Sequence, residues 1–126
     1  MLPDMKQDSI LHRIQQLEER IAALKAMLMN LGALHPGSLS KQYNVCGKPG
    51  CRCKDPRHPR RHGPYYQLNY VFRGQKTSRF IPRPEVAQLR KELARYKALR
   101  RSTERWIALA LQIAQAKRKL KPRLLG

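Results

Sequence analysis

Apolar residues in the first third of the chain recur with a helical period. Ile10, Ile14, Leu17, Ile21, Leu24, Leu28 and Leu31 step alternately by 4 and 3, the a/d seam of a coiled coil held over three heptads. The spacing predicts a helix over 6–31, capped by Asp8 or Ser9 and ended by Gly32, with Pro36 and Gly37 blocking continuation. The same stripe serves equally as an ordinary core face, since both bury one side of a helix.

Periodicity vanishes over 33–64, where Gly, Pro and charged residues dominate, and this stretch reads as loop. It returns as extended runs. YYQLNYVF (65–72) and KTSRFIP (76–82) flank Arg73-Gly74-Gln75, which predicts a β-hairpin closed off by Pro82 and Pro84. Residues 85–121 read as a second long helix, with Pro84 as its first residue and Glu85 in its first turn. Its apolar or small positions run Val86, Leu89, Leu93, Tyr96, Leu99, Thr103, Trp106, Ala110 and Ile113, with a stammer between Tyr96 and Leu99. Lys117, Arg118, Lys119 and Lys121 suit the negative end of the helix dipole, and Pro122 stops it. The two helices can pack antiparallel, or each can pair with a second copy of the chain.

Charge changes the picture. The chain has 126 residues, enough for one small domain, and a formal net charge of +19. Residues 1–40 are neutral: Lys6, Arg13, Arg20 and Lys25 balance Asp4, Asp8, Glu18 and Glu19. All of the excess lies in 41–126, where Asp55, Glu85, Glu92 and Glu104 are the only acids. A basic surface can simply be solvated, but so uneven a distribution points to a polyanion, nucleic acid before an anionic membrane surface. The N-terminal MLPDMKQDSILHR lacks a basic start followed by an apolar run, and no segment approaches 18 consecutive apolar residues. A cytoplasmic protein, free or nucleoid-associated, is therefore expected.

All three cysteines stand in "CGKPGCRCKDPRHPRRHGPYY", 46–66. An odd count without an export leader argues against disulfides and for reduced thiols as ligands. Cys46-x4-Cys51-x-Cys53 followed by His58 or His62 supplies three thiolates and an imidazole, a set that suits one structural Zn2+. Gly47, Pro49 and Gly50 favour the turn that brings sulfurs together. Three thiolates are too few for most iron–sulfur clusters. The competing readings are free thiols in a mobile loop, or a redox role, which lacks a C-x-x-C. A loop this charged cannot order itself by burial, whereas one ion would staple it. His62 is preferred because it leads directly into the predicted strand, whereas His58 sits between prolines and arginines. His12 and His35 read as ordinary surface or helix-end residues.

GSLSKQYNVCGKPGCRC, HGPYYQLNY and GQKTSRFIP together resemble a family of short basic prokaryotic proteins known only as a domain of unknown function. Its pattern of G-S-L, C-G-K-x-x-C-x-C and H-G-P-Y-Y-x-L falls on Gly37, Ser38, Leu39, Cys46, Gly47, Lys48, Cys51, Cys53, His62, Gly63, Pro64, Tyr65, Tyr66 and Leu68. The resemblance spans roughly residues 37–100 and leaves the N-terminal helix less constrained. It supports His62 as the fourth ligand, although KDPRHPRR makes the interval before H-G-P longer than the pattern. Members are often found near mobile elements, which implies a nucleic-acid role.

The expected fold is mainly α with a small β-hairpin: two long amphipathic helices flanking a zinc-stapled loop. Its parts are a coiled-coil-like helix (1–34), the Cys3His loop with hairpin (35–84), and a basic helix and tail (85–126). Phosphate contacts are expected from Lys48, Arg52, Lys54, Arg57, Arg60 and Arg61 in the loop, and from Arg73, Lys76 and Arg79 in the hairpin. Arg90, Lys97, Arg101 and Arg105 fall within roughly 80° on the second helix. Tyr65 and Tyr66, with Tyr70 and Phe72, are stacking candidates, though a small fold needs some of them inside. The expectation is a nucleic-acid-binding protein, DNA slightly ahead of RNA, possessing a neutral helix for dimerisation or a protein partner. An assembly subunit of a larger nucleoprotein enzyme is the alternative. A tyrosine strand-transfer enzyme is a minor one, because no carboxylate cluster accompanies the tyrosines and a filled Cys3His site leaves no open position. The protein is not expected to be an enzyme.

Overall fold

The computed structural model describes residues 5–122. Asp4 and the tail at 123–126 lie outside the described residues. The elements run α1 (Met5–Met29), β1 (Ser38–Asn44), β2 (His62–Phe72), β3 (Gln75–Ile81) and α2 (Val86–Arg118). The described chain forms two compact units, one from the segments up to Gly32 and from Lys97, the other from Ala33–Tyr96.

In the first unit the α1 seam turns inward along its length. Ile14, Leu17 and Ile21 are buried, and Ile10, Leu24, Leu28 and Leu31 are half-buried. Leu17, only 1% exposed, meets Ile21 and Leu109 in a cluster that Leu24, Trp106 and Ile113 surround. Leu109 takes the inward place expected of Ala110, which is exposed. The five-residue apolar run Ile107-Ala108-Leu109-Ala110-Leu111 fits several helical faces, so periodicity alone does not choose among them. Ser102, Leu109 and Leu120 lie buried around Trp106, Ile113 and Ala116, which restores the alternation of 4 and 3. Buried Gln7 ties the chain ends of this unit: its amide donates to the Lys119 carbonyl at 3.3 Å and accepts the Lys121 N–H at 3.0 Å.

The second unit corrects the hairpin to a three-stranded antiparallel sheet in the order β1-β2-β3. The segment expected to be loop contains β1, which pairs Ser38 with Asn69 and Leu39 with Leu68. β2 starts at His62 rather than Tyr65, and β3 takes in Gln75. The β2–β3 turn is therefore only Arg73-Gly74, with φ of 50° and 77°, the left-handed pair a two-residue hairpin loop requires. One sheet face packs Leu68 against Leu89 and Leu93, supported by Leu39, Tyr70 and Ile81. A 3-10 turn at Arg83–Glu85 precedes α2, so the helix starts at Val86, after the expected Pro84. Among the described residues, no helix is long and apolar enough to cross a membrane.

Candidate metal centre

The sheet places the cysteine loop. Asn44 and His62 are register partners at one end of the β1–β2 pair, so segment 45–61 leaves and rejoins the sheet at a single rung. Within it, Cys51 N–H reaches the Lys48 carbonyl at 3.4 Å, and a 3-10 turn follows at Arg52–Lys54. Arg60 N–H returns to the Arg52 carbonyl at 3.0 Å, and Asp55 Oδ1 accepts the Arg57 N–H at 2.9 Å. These contacts fold a polar segment whose one buried side chain is Cys53, 3% exposed.

Cys46, Cys51, Cys53 and His62 converge, their four ligand atoms all within 4.8 Å of one another, close enough to hold one metal ion. Cys51 Sγ is 3.2 Å from His62 Nε2, and Cys46 Sγ is 3.6 Å from Cys53 Sγ. The Cys46 N–H donates to Cys53 Sγ at 3.3 Å. Such N–H···S bonds favour the thiolate form that a metal requires. A backbone hydrogen bond at Lys48 lowers the Cys46 thiol from 9.0 to about 6, with Cys51 and His62 adding to the effect. Burial raises the Cys53 thiol. His58 is exposed and is not part of the cluster. A cavity of about 400 Å³ beside the ligands is lined by Asn44, Cys46, Lys48, Cys51, His62 and Tyr65.

The cationic candidates point outward: Lys48, Arg52, Lys54, Arg57, Arg60 and Arg61 are all exposed, as are Arg73, Lys76, Arg79, Arg90, Lys97, Arg101 and Arg105. The aromatic candidates separate. Tyr65 is 43% exposed and Phe72 62% exposed, with the Arg73 guanidinium 5.2 Å from the Phe72 ring centre. Tyr66 is half-buried beneath the Arg90 guanidinium, 5.8 Å from its ring centre. Tyr70 packs edge-on against His35, 4.9 Å between ring centres. His35 is thus a packed loop residue whose N–H donates to the Glu92 carbonyl at 3.1 Å. Glu85 and Glu92, separated in sequence, border one cavity of about 540 Å³ with His35 and Arg79. Phe80, to which the sequence assigned no role, is 65% exposed because it alternates with inward Ile81. That alternation is visible in RFIP once the register with β2 is known.

A protein-family model, described as Domain of unknown function (DUF6788), matches residues 8–91. The match takes in most of α1, which the resemblance left less constrained, and ends within α2. No curated protein and no solved structure matches the chain.

Proposed function

The chain belongs to the family described as a domain of unknown function, and from its own residues we propose that it binds nucleic acid through a zinc-stapled basic loop. Zinc is the ion that suits the donor set. Zn–S bonds of about 2.3 Å and a Zn–N bond of about 2.0 Å in a tetrahedron space the ligand atoms by roughly 3.5–3.8 Å. The Cys51–His62 and Cys46–Cys53 separations of 3.2 and 3.6 Å are compatible with that spacing. Bound there, the ion would act structurally, fixing the loop. The residues supply everything else: Cys46, Cys51 and Cys53 as thiolates, and His62 through Nε2.

The observation that carries the reading is the division of labour within one loop. The thiols and imidazole gather at its base, while every Lys and Arg between them is exposed. Three thiolates around a divalent ion leave one net negative charge, which basic neighbours also offset. Yet six loop cations far exceed that need, and their surplus favours phosphate. DNA is placed ahead of RNA only by the link to mobile elements that the resemblance implies.

Fluorescence anisotropy with labelled DNA and RNA at two salt concentrations tests this. Affinity should fall linearly on a log–log plot, the slope growing by about 0.9 for each phosphate neutralised on duplex DNA. Absence of salt-sensitive binding would sink the proposal. The second reading, an assembly subunit, is favoured by an apolar groove in the first unit, lined by Thr103, Trp106, Ile107, Ala110 and Leu111. Ile107 and Leu111 are each 60% exposed there.

A further inference from the structure

We infer that the outward face of the sheet is a stacking surface for the unpaired bases of a single strand, with Tyr65 and Phe80 as its platforms. This rests on the nucleic-acid reading and specifies the form the ligand takes.

Strand alternation divides the sheet. Leu68 and Ile81 face the α2 residues Leu89 and Leu93, so Tyr65, Gln67 and Asn69 of β2 stand on the opposite face. Register places Gln42 beside Tyr65, Phe80 beside Gln67, and Ser78 beside Asn69 on that same face. Side-chain contacts agree with the assignment. The amides of Gln42 and Gln67 bond to each other across the strands, and Ser78 Oγ donates to Asn69 Oδ1 at 2.6 Å.

The composition of this face suits bases. Tyr65 and Phe80 on it are exposed at 43% and 65%, while on the other face Tyr66 and Tyr70 are half-buried and Phe72, beside the hairpin turn, is exposed. Amides and hydroxyls between them offer both donors and acceptors to base edges. None of the three strands contains an acidic residue, so nothing on the sheet repels a polyanion.

Tyr65 also joins the face to cations at both sides. With Phe80 it borders a cavity of about 240 Å³ that Pro64, Pro82 and Arg83 help to enclose. It equally borders the cavity beside the metal ligands, where Lys48 is the lining cation. A base stacked on Tyr65 would therefore have a phosphate-binding group on either flank. Stacking needs bases that are not paired, so this face selects single strands, whereas the loop cations serve any phosphate backbone.

The experiment uses the full chain with labelled oligo(dT), oligo(U) and a DNA duplex, comparing wild type with Tyr65→Ala, Phe80→Ala and Tyr65→Phe. Each alanine variant should bind the single strands roughly 5- to 150-fold more weakly. Duplex binding should change by less than about twofold, because the phosphate contacts remain. Tyr65→Phe should retain single-strand affinity, and exposed Phe80 gives a variant that keeps its fold if Tyr65→Ala does not. The oligo(dT) and oligo(U) arms tell DNA from RNA. Unchanged single-strand affinity in Phe80→Ala and Tyr65→Ala, or equal losses on duplex and single strand, overturns the stacking surface while salt-sensitive binding keeps the phosphate reading. Loss of salt-sensitive binding to every oligonucleotide in wild type removes both.

Discussion

Cys51 Sγ and His62 Nε2 stand 3.2 Å apart, linking the turn of the loop to the first residue of β2. His62→Ala should therefore strip metal from the purified protein, while His58→Ala leaves it in place. The loss should exceed the roughly 10- to 100-fold that changes outside the ligand set cost in affinity. Elemental analysis of both variants checks this, and a full complement of metal in His62→Ala would refute the assignment.

Thiol chemistry gives a pH signature. In chelator-treated protein the Cys46 thiol lies near 6, held down by its backbone hydrogen bond at Lys48, while burial holds Cys53 above 9.0. The depressed Cys46 value stabilises the fold fully above pH 9 and loses that contribution as pH falls through about 6. The raised Cys53 value works oppositely: its contribution is full below pH 9 and disappears as pH rises through the folded value. At pH 7 iodoacetamide should label Cys46 well before Cys53, with a labelling midpoint for Cys46 near pH 6. Mass spectrometry of peptides across a pH series reads both midpoints, and equal rates at the two sites would contradict the geometry.

Gly63 should not tolerate a side chain. Its φ is +128°, and an added Cβ would sit 2.7 Å from the Gln42 carbonyl. Gly63→Ala should cost on the order of 1–3 kcal/mol. Because Gly63 adjoins His62, the variant should also retain less metal than wild type after mild chelation. Thermal melts and metal content measured together separate this from a purely local effect.

Leu17→Ala should destabilise the helical unit by about 2–5 kcal/mol, since the side chain is 1% exposed between Ile21 and Leu109. Ile107→Ala, at 60% exposure, should change stability by less than about 0.5 kcal/mol. Denaturant titration followed by circular dichroism tests the contrast. Similar losses for the two would mean that Ile107 is covered by something the exposure does not include.

What the sequence revealed divides along physical lines. The α1 seam was legible because isoleucine and leucine hold a strict alternation of 4 and 3 from Ile10 to Leu31, whereas the buried Gln7 one step before it carries no apolar signal. The Leu109–Ala110 choice was not, because an unbroken apolar run carries no phase. β1 escaped because SLSKQYN is a polar edge strand whose inward aliphatic residue is Leu39 alone. Its existence depends on β2 beside it, which is a tertiary fact. Residue types and spacing announced the ligand cluster, and His62 was preferred over His58 because it leads into the strand expected from Tyr65 and falls in the H-G-P-Y-Y motif. The two faces of β2 needed the register: Tyr65 and Tyr66 are adjacent in sequence, but one is exposed and the other lies under Arg90.

The pairing of Asn44 with His62 has one more consequence. The loop leaves and returns at the same rung, and between Cys53 and His62 the chain contributes no ligand. Residues 54–61 therefore form an excursion that carries charge and no coordination. The cations of KDPRHPRR project outward from it, while the Lys54 N–H on the Cys51 carbonyl and the Arg60 N–H on the Arg52 carbonyl anchor its two ends to the cysteine turn. The ligand cluster and the charge displayed beside it thus rest on different residues of one short stretch of chain.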